Sequence, residues 1–207
     1  MNGLELFHRA ETLNWKPEIG IGYYPVKETP YDAEYFQKYS AYETSDIGIQ
    51  LNSARLELVR RYVNASEVID IGIGSGMFMN EANCEGFDIN PVAIELLKKS
   101  GSYVNPYERK SRHATFWDSL EHITEISDIF ENITGYAFVS IPIFRSCEHI
   151  LQSKHFRKDE HCWYFTEKGI EWFMESHGFF LVEHSTIEID IGREDIHTFV
   201  FRRENEN

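Results

Sequence analysis

No stretch of this sequence is apolar over the roughly 18 residues that a membrane-spanning helix needs. Its first residues, MNGLELFHRAETLNWK, have neither a long apolar core nor a small-residue cleavage site. No membrane anchor or secretion signal is read there, and the expected compartment is cytoplasmic. Cysteine is scarce. Cys84, Cys147 and Cys162 are odd in number and form no CxxC pair, which argues against a disulfide framework and fits free thiols in a reducing compartment. The Asn-x-Ser/Thr triplets at Asn64 and Asn132 then read as coincidence. Basic residues are also few: 20 Lys and Arg against 34 Asp and Glu leave a formal net charge of −14. A field of that sign repels phosphate backbones, so binding to duplex nucleic acid is disfavoured. No internal repeat or low-complexity tract occurs.

What is present suits one domain with a substantial core, since 42% of the 207 residues are hydrophobic and 26% charged. Residues 1–45 read as an N-terminal arm or lid. Pro17, Pro25 and Pro30 favour extended chain, and YDAEYFQKYSAY is a short helix with Tyr31, Tyr35 and Tyr39 four apart. From 46 to 207 strand and helix patterns alternate. LNSARLELVRRY has helical spacing with Asn52 or Ser53 as cap, SEVIDIGIG is a buried strand running into a turn, and PVAIELLKKSG is a helix from Pro91 to a stop at Gly101. HATFWDSL and YAFVSIPIF are two further strands around a helix with Ile126, Ile129, Phe130 and Ile133 on one face. Thr166 caps a helix ended by Gly178, and FFLVEHSTIEI and IHTFVFRR form a C-terminal antiparallel hairpin at the edge of the sheet. Such alternation calls for a parallel sheet with crossover helices.

The chemistry is carried by VIDIGIGSGMFMNEANCEGFDINP. A dinucleotide fingerprint needs a third glycine three residues after the second, and Met77 or Met79 stands there; no GK[ST] follows to make a P-loop. The pattern is Asp70-x-Gly72-x-Gly74-x-Gly76, with an acid, Asp88, 18 residues past Asp70. A ligand lying on a strand-to-helix turn requires residues without Cβ. An ionised Asp88, with acceptors only, suits two ribose hydroxyls.

This pattern resembles motif I of the class I S-adenosylmethionine-dependent methyltransferases, with closest likeness to bacterial and phage methyltransferase-domain proteins acting on small molecules. The resemblance spans most of residues 31–203, through YDAEYFQKY, the D-x-L-E-H of WDSLEHI, SIPIF and the stretch from KHFRKDEHC to GFFLVE. It implies a Rossmann-like α/β fold: a mostly parallel seven-stranded sheet with an antiparallel C-terminal hairpin strand and helices on both faces. The implied cofactor is S-adenosyl-L-methionine, left as S-adenosyl-L-homocysteine. Asp70, Gly72, Gly74, Gly76, Asp88 and Asp118 are its binding set, with the glycines beneath it and Asp88 on the ribose. The first crossover helix is short, and SYVNPYERKSRH offers no clear acid for the adenine amino group.

The same resemblance implies methyl transfer to oxygen or nitrogen of a small-molecule acceptor. The alternatives are a protein that holds the cofactor without transfer, or a modifier of nucleotides or nucleic acid. The motifs of DNA-base methyltransferases are lacking, since WDSL stands where [DNS]PP[YFW] belongs. Transfer needs positioning and, for a hydroxyl or protonated amine, a base. His122, His155 and His161 are the candidates for that base. Asp118 either serves this site or caps the following helix. Trp163, Tyr164 and Phe165 either stack on an aromatic acceptor or close the core, and Lys154, Arg157 and Lys158 either grip an anion or face solvent. Cys147, His149, His155, His161 and Cys162 lack paired ligand spacing, so no metal is expected. The arm either folds over the ligand or makes a homodimer contact.

Overall fold

The computed structural model describes residues 13–25 and 45–204. The expected tyrosine helix lies outside them. Within the expected arm, strands β1 (Asn14–Lys16) and β2 (Ile21–Tyr23) form a hairpin. Helix α1 (Asp46–Arg60) starts earlier than its apolar spacing suggested. Ser45 is the cap, its hydroxyl accepting from the Gly48 amide at 3.2 Å, and Asn52 is buried within the helix rather than capping it. Then follow β3 (Val68–Ile71), α2 (Met77–Ala82), β4 (Glu85–Phe87) and α3 (Pro91–Ser100). Asn90 caps α3 from the Val92 amide, and Gly101 ends it in the left-handed region at φ 75°. The rest runs β5 (His113–Trp117), a 3-10 turn at Leu120–His122, α4 (Ile126–Glu131), β6 (Tyr136–Pro142), α5 (Cys147–Gln152), β7 (Trp163–Phe165), α6 (Glu167–Ser176), β8 (Phe179–Ser185), α7 (Ile187–Asp190) and β9 (Ile196–Arg203).

The main sheet has the order β4-β3-β5-β6-β9-β8, the first four strands parallel and β9 antiparallel to both its neighbours. Among the described residues, six strands stand where seven were expected. The place of the seventh is taken by one parallel bridge, Gly86 to Tyr103, with the Gly86 amide on Ser102 O at 2.9 Å and the Val104 amide on Gly86 O at 3.0 Å. Pro106 has no amide to continue the ladder, and Asn105 folds the chain into a turn by accepting from the Tyr107 amide. The C-terminal pair is antiparallel as expected, but β9 lies inside and β8 alone is the edge. Their link contains α7 rather than a tight turn. A second sheet, β1-β2-β7, is antiparallel and joins the first where the Phe144 amide bonds Phe165 O at 2.8 Å.

Alternation along the central strands feeds two apolar layers. Ile69, Ile71, Phe116, Val139 and Phe199 pack with Ile126, Ile129, Phe130, Ile133, Ile170 and Phe173 of the α4 and α6 regions. Val68, Phe138 and Val200 pack with Leu56, Val59, Phe78, Ala93 and Leu97 of α1, α2 and α3. Helices therefore cover both faces, each buried aromatic or aliphatic side chain contributing about 1.5–3 kcal/mol. Loops beyond the carboxyl ends of β3, β4, β5 and β6 are left to build a site, as in other open α/β sheets.

His113 on β5 is 3% exposed, and its Nδ1 accepts from the Tyr136 amide at 3.0 Å. Burial, with Arg112 nearby, lowers its pKa from 6.5 to about 4. The neutral ring is the folded form, so the unfolded chain binds the extra proton between those values, and this stabilisation is lost as pH falls from 6.5 towards 4. His113→Asn keeps an acceptor but does not titrate. Urea melts should show the wild type losing about 2 kcal/mol relative to this variant between pH 7 and pH 4.5; parallel pH profiles would refute it.

Candidate active site

The turn after β3 takes its form from its glycines. Gly72, Gly74 and Gly76 have φ of 81°, 56° and 84°, the left-handed region that side-chain-bearing residues avoid. At Gly72 the space is also closed, because a Cβ there would stand 2.5 Å from Ser119 Cβ. The Gly72 amide donates to Phe87 O at 2.8 Å, and the Ser119 hydroxyl to Ile71 O at 2.5 Å, so the ends of β3, β4 and β5 are tied at one point. Asp70 lies in the sheet next to this turn, 1% exposed, and accepts from the Thr115 hydroxyl at 2.7 Å. Asp88 follows β4 and accepts from the Asn90 amide at 2.8 Å. Burial raises its pKa, while the amides of Asn90, Ile89, Gly74 and Ile73 oppose that rise. The carboxylate thus stands against the glycine turn. Gly72→Ala should lower stability by about 2 kcal/mol or more through φ strain and the Ser119 contact. Chemical denaturation measures this, and an unchanged midpoint would contradict the close approach.

Beyond β5 the chain enters a partly buried charge network. Asp118, itself at φ 54°, receives Arg55 Nη2 on Oδ2 at 2.8 Å and Arg193 Nη1 and Nη2 at 2.8 and 2.9 Å. Glu188, 1% exposed, receives Arg55 Nε at 2.8 Å, Arg193 Nη1 at 2.5 Å and the Ser140 hydroxyl at 2.6 Å. Burial pushes the Asp118 pKa up, but Arg193 and Arg55 outweigh it and hold the carboxyl below the usual range. Asp118 therefore caps no helix. Arg55, Ser140, Glu188 and Arg193 were not found from the sequence. Ser140 was the readable signal, a hydroxyl in the otherwise apolar YAFVSIPIF that must find a partner. Arg193→Ala leaves the buried Glu188 and the partly buried Asp118 carboxylates on one guanidinium and should destabilise the protein by about 3 kcal/mol, read by urea unfolding; a loss under 1 kcal/mol would count against the network.

The 3-10 turn at Leu120–His122 holds a second constellation. Glu121 is 1% exposed and its Oε2 has no hydrogen-bond partner; His161 is 3% exposed and its Nδ1 is likewise unpartnered. The His122 and His161 rings meet edge to face with centroids 4.5 Å apart. Burial, with Asp118 nearby, pushes the Glu121 carboxyl up to about 8. Burial lowers His122 to about 4, and burial with His122 and Arg157 nearby holds His161 well below its ordinary value. The segment is pinned by the residue just before β7, where the Cys162 amide and thiol bond Glu121 O at 2.8 and 3.1 Å.

Of the three histidines singled out in the sequence, His122 and His161 are brought together. His155 is bound elsewhere, its Nε2 3.0 Å from Glu194 O. Tyr164 and Phe165 are fully buried, so they close the core instead of meeting an acceptor, while half-buried Trp163 donates to Ile123 O at 2.8 Å and packs on Tyr23. Lys154 pairs with Glu194 at the surface, whereas the Arg157–Glu160 pair is partly buried and lies near His122 and His161. Cys84, Cys147 and Cys162 are all free thiols. The five Cys and His residues weighed as a zinc set are not gathered. Among the described residues, the groupings of potential ligands are Glu121 with His122 and His161, and Glu167 with His184 and His197.

The family model for a methyltransferase domain matches residues 48–184, about two thirds of the chain. The chain belongs to that family, and with its fold and cofactor turn it is a class I S-adenosylmethionine-dependent methyltransferase. Solved structures agree on the fold. The magnesium protoporphyrin IX methyltransferase of Synechocystis PCC 6803, with bound S-adenosylhomocysteine, has TM-score 0.63 at 13% identity over 84% of this chain and 96% of that one. A possible histamine N-methyltransferase of Thermotoga maritima gives 0.58 at 13% over 83% and 97%. The 1,6-didemethyltoxoflavin-N1-methyltransferase of Burkholderia thailandensis, with bound 1,6-didemethyltoxoflavin and S-adenosylhomocysteine, gives 0.55 at 13% over 89% and 96%. No curated protein matches the chain. Among the described residues, no helix is long and apolar enough to cross a membrane.

Proposed function

We propose that the enzyme transfers the methyl group of S-adenosylmethionine to an oxygen or nitrogen of a small-molecule acceptor, bound beyond the carboxyl ends of β5 and β6. The observation that carries this is the placement of Asp88 against the amides of Ile73 and Gly74, at the ends of adjoining parallel strands. A cradle that a Cβ at Gly72 would fill, facing a carboxylate with acceptors only, fits an adenosyl group with two ribose hydroxyls. When bound, the cofactor supplies an electrophilic methyl on sulfur. Gly72, Gly74 and Gly76 let it approach the backbone, and Asp88 fixes the ribose. Asp70 supports the turn through Thr115. Asp118 stands at the end of the adjoining strand beside the cofactor position, where Arg55 and Arg193 hold it. Glu121, His122 and His161 line the acceptor side, with His155 fixing the loop that carries His161. In-line displacement is governed by orientation, which this rigid strand-end framework provides. A net charge of −14 favours a compact acceptor over a polyphosphate chain.

Calorimetry tests the cofactor side. Each hydrogen bond to a charged group is worth about 1.5–3 kcal/mol, so Asp88→Ala should weaken S-adenosylhomocysteine binding by about 100-fold or more. Undiminished binding would sink this assignment. Labelled cofactor with a cell metabolite extract tests the acceptor side; label should appear in the small-molecule fraction, and label recovered only in nucleic acid would overturn the reading.

A further inference from the structure

We propose that Glu121, His122 and His161 form a binding site for a divalent transition-metal ion, with the two imidazoles and one carboxylate as its protein ligands. Their donor atoms lie within 4.8 Å of one another. Two donors about 2.0 Å from a tetrahedral ion stand about 3.3 Å apart, so small rotations of the three side chains close the site. A second, independent observation points inward. Glu121 Oε2 and His161 Nδ1 are buried without any hydrogen-bond partner in a protein that otherwise satisfies its buried polar groups, with few exceptions among the described residues. An ion accepts both lone pairs at once, which no hydrogen-bond donor in the surroundings does.

The outer contacts have the form that ligation requires. His122 is hydrogen-bonded to the Glu160 backbone carbonyl, the kind of bond that orients a ligating imidazole. Glu121 is held through its own carbonyl by Cys162, next in sequence to His161, so two of the donors come from segments already tied together. Asp118 lies near enough to favour a cation, and Arg157 opposes it. Two nitrogens with one oxygen select zinc, cobalt, iron or manganese over the all-oxygen preferences of calcium and magnesium. Three protein ligands leave coordination positions for water or for an acceptor oxygen. The site lies two residues beyond Ser119, the residue packed on Gly72, so it sits beside the cofactor turn. The inference stands on donor geometry and does not depend on transfer activity.

The test is cobalt titration of the chelator-treated full chain, followed by visible absorption and metal analysis after gel filtration. The expected result is one equivalent of Co2+ with ligand-field bands, its affinity lowered tenfold or more by Glu121→Gln and by His161→Gln. Both variants should still bind S-adenosylhomocysteine, which shows that they are folded and keeps failure of the metal site separate from failure of the cofactor site. His197→Gln, in the other grouping, should leave uptake unchanged. The proposal is overturned if the wild type retains no cobalt, if uptake survives Glu121→Gln with His161→Gln, or if His197→Gln abolishes it.

Discussion

The contact between Gly72 and Ser119 is the constraint on which the rest of the site depends. It is a backbone meeting a side chain at a distance that leaves no room for Cβ, and it is fixed from both sides by the Ser119 bond to Ile71 O and the Gly72 bond to Phe87 O. Three strand ends are thereby locked together, so the cofactor turn after β3, the Asp88 carboxylate after β4 and the Glu121–His122 turn after β5 cannot move independently. Precision of this kind, built on sheet backbone rather than on loops, suits a reaction whose rate depends on alignment.

A second constraint acts next to the first, where β5 ends at Asp118. Arg55 from α1 and Arg193 after α7 clamp Asp118 and Glu188, and Ser140 and Thr198 extend the network across β6 and β9. This explains an inversion in α7, where Ile187 and Ile189 are exposed and Glu188 is buried. Burying an isoleucine side chain gains about 1.5–3 kcal/mol, whereas leaving two guanidiniums and a serine without their carboxylate in the interior forfeits more. The ion pairs therefore decide which side of that turn faces inward.

The same competition marks what the sequence could and could not disclose. Gly72, Gly74, Gly76 and Asp88 were legible because backbone conformation and spacing are local properties. The parallel core was legible for the same reason, through β-branched runs alternating with amphipathic helices. TIEI at the end of FFLVEHSTIEI was not, because its alternating isoleucines read as strand while a long-range charge network turns Ile187–Asp190 into α7. The seventh strand that the family resemblance implied was not located in the sequence, and at its place Asn105 and Pro106 turn the chain after a single bridge at Tyr103. Helix α1 began at Ser45, because a cap is set by geometry at the helix end and not by where the apolar stripe begins. His122 and His161 lie 39 residues apart, and only the docking of β7 beside the 3-10 turn makes them neighbours.

Charge balance then separates the three acids of this end of the sheet, of which Glu121 and Glu188 are buried and Asp118 is partly exposed. Asp118 and Glu188 together meet Arg55 and Arg193, two negative groups against two positive ones, with the bonds shared among all four. Glu121 has no such partner, and Asp118 beside it disfavours its charge further. A fold that neutralises two carboxylates with dedicated arginines, yet leaves a third facing two imidazoles, has left that position to be neutralised by something other than its own side chains. A proton does so at one oxygen but leaves the His161 nitrogen unmet. A cation that takes the carboxylate and both rings satisfies every member of the group, and it would do so beside the turn that holds the methyl donor.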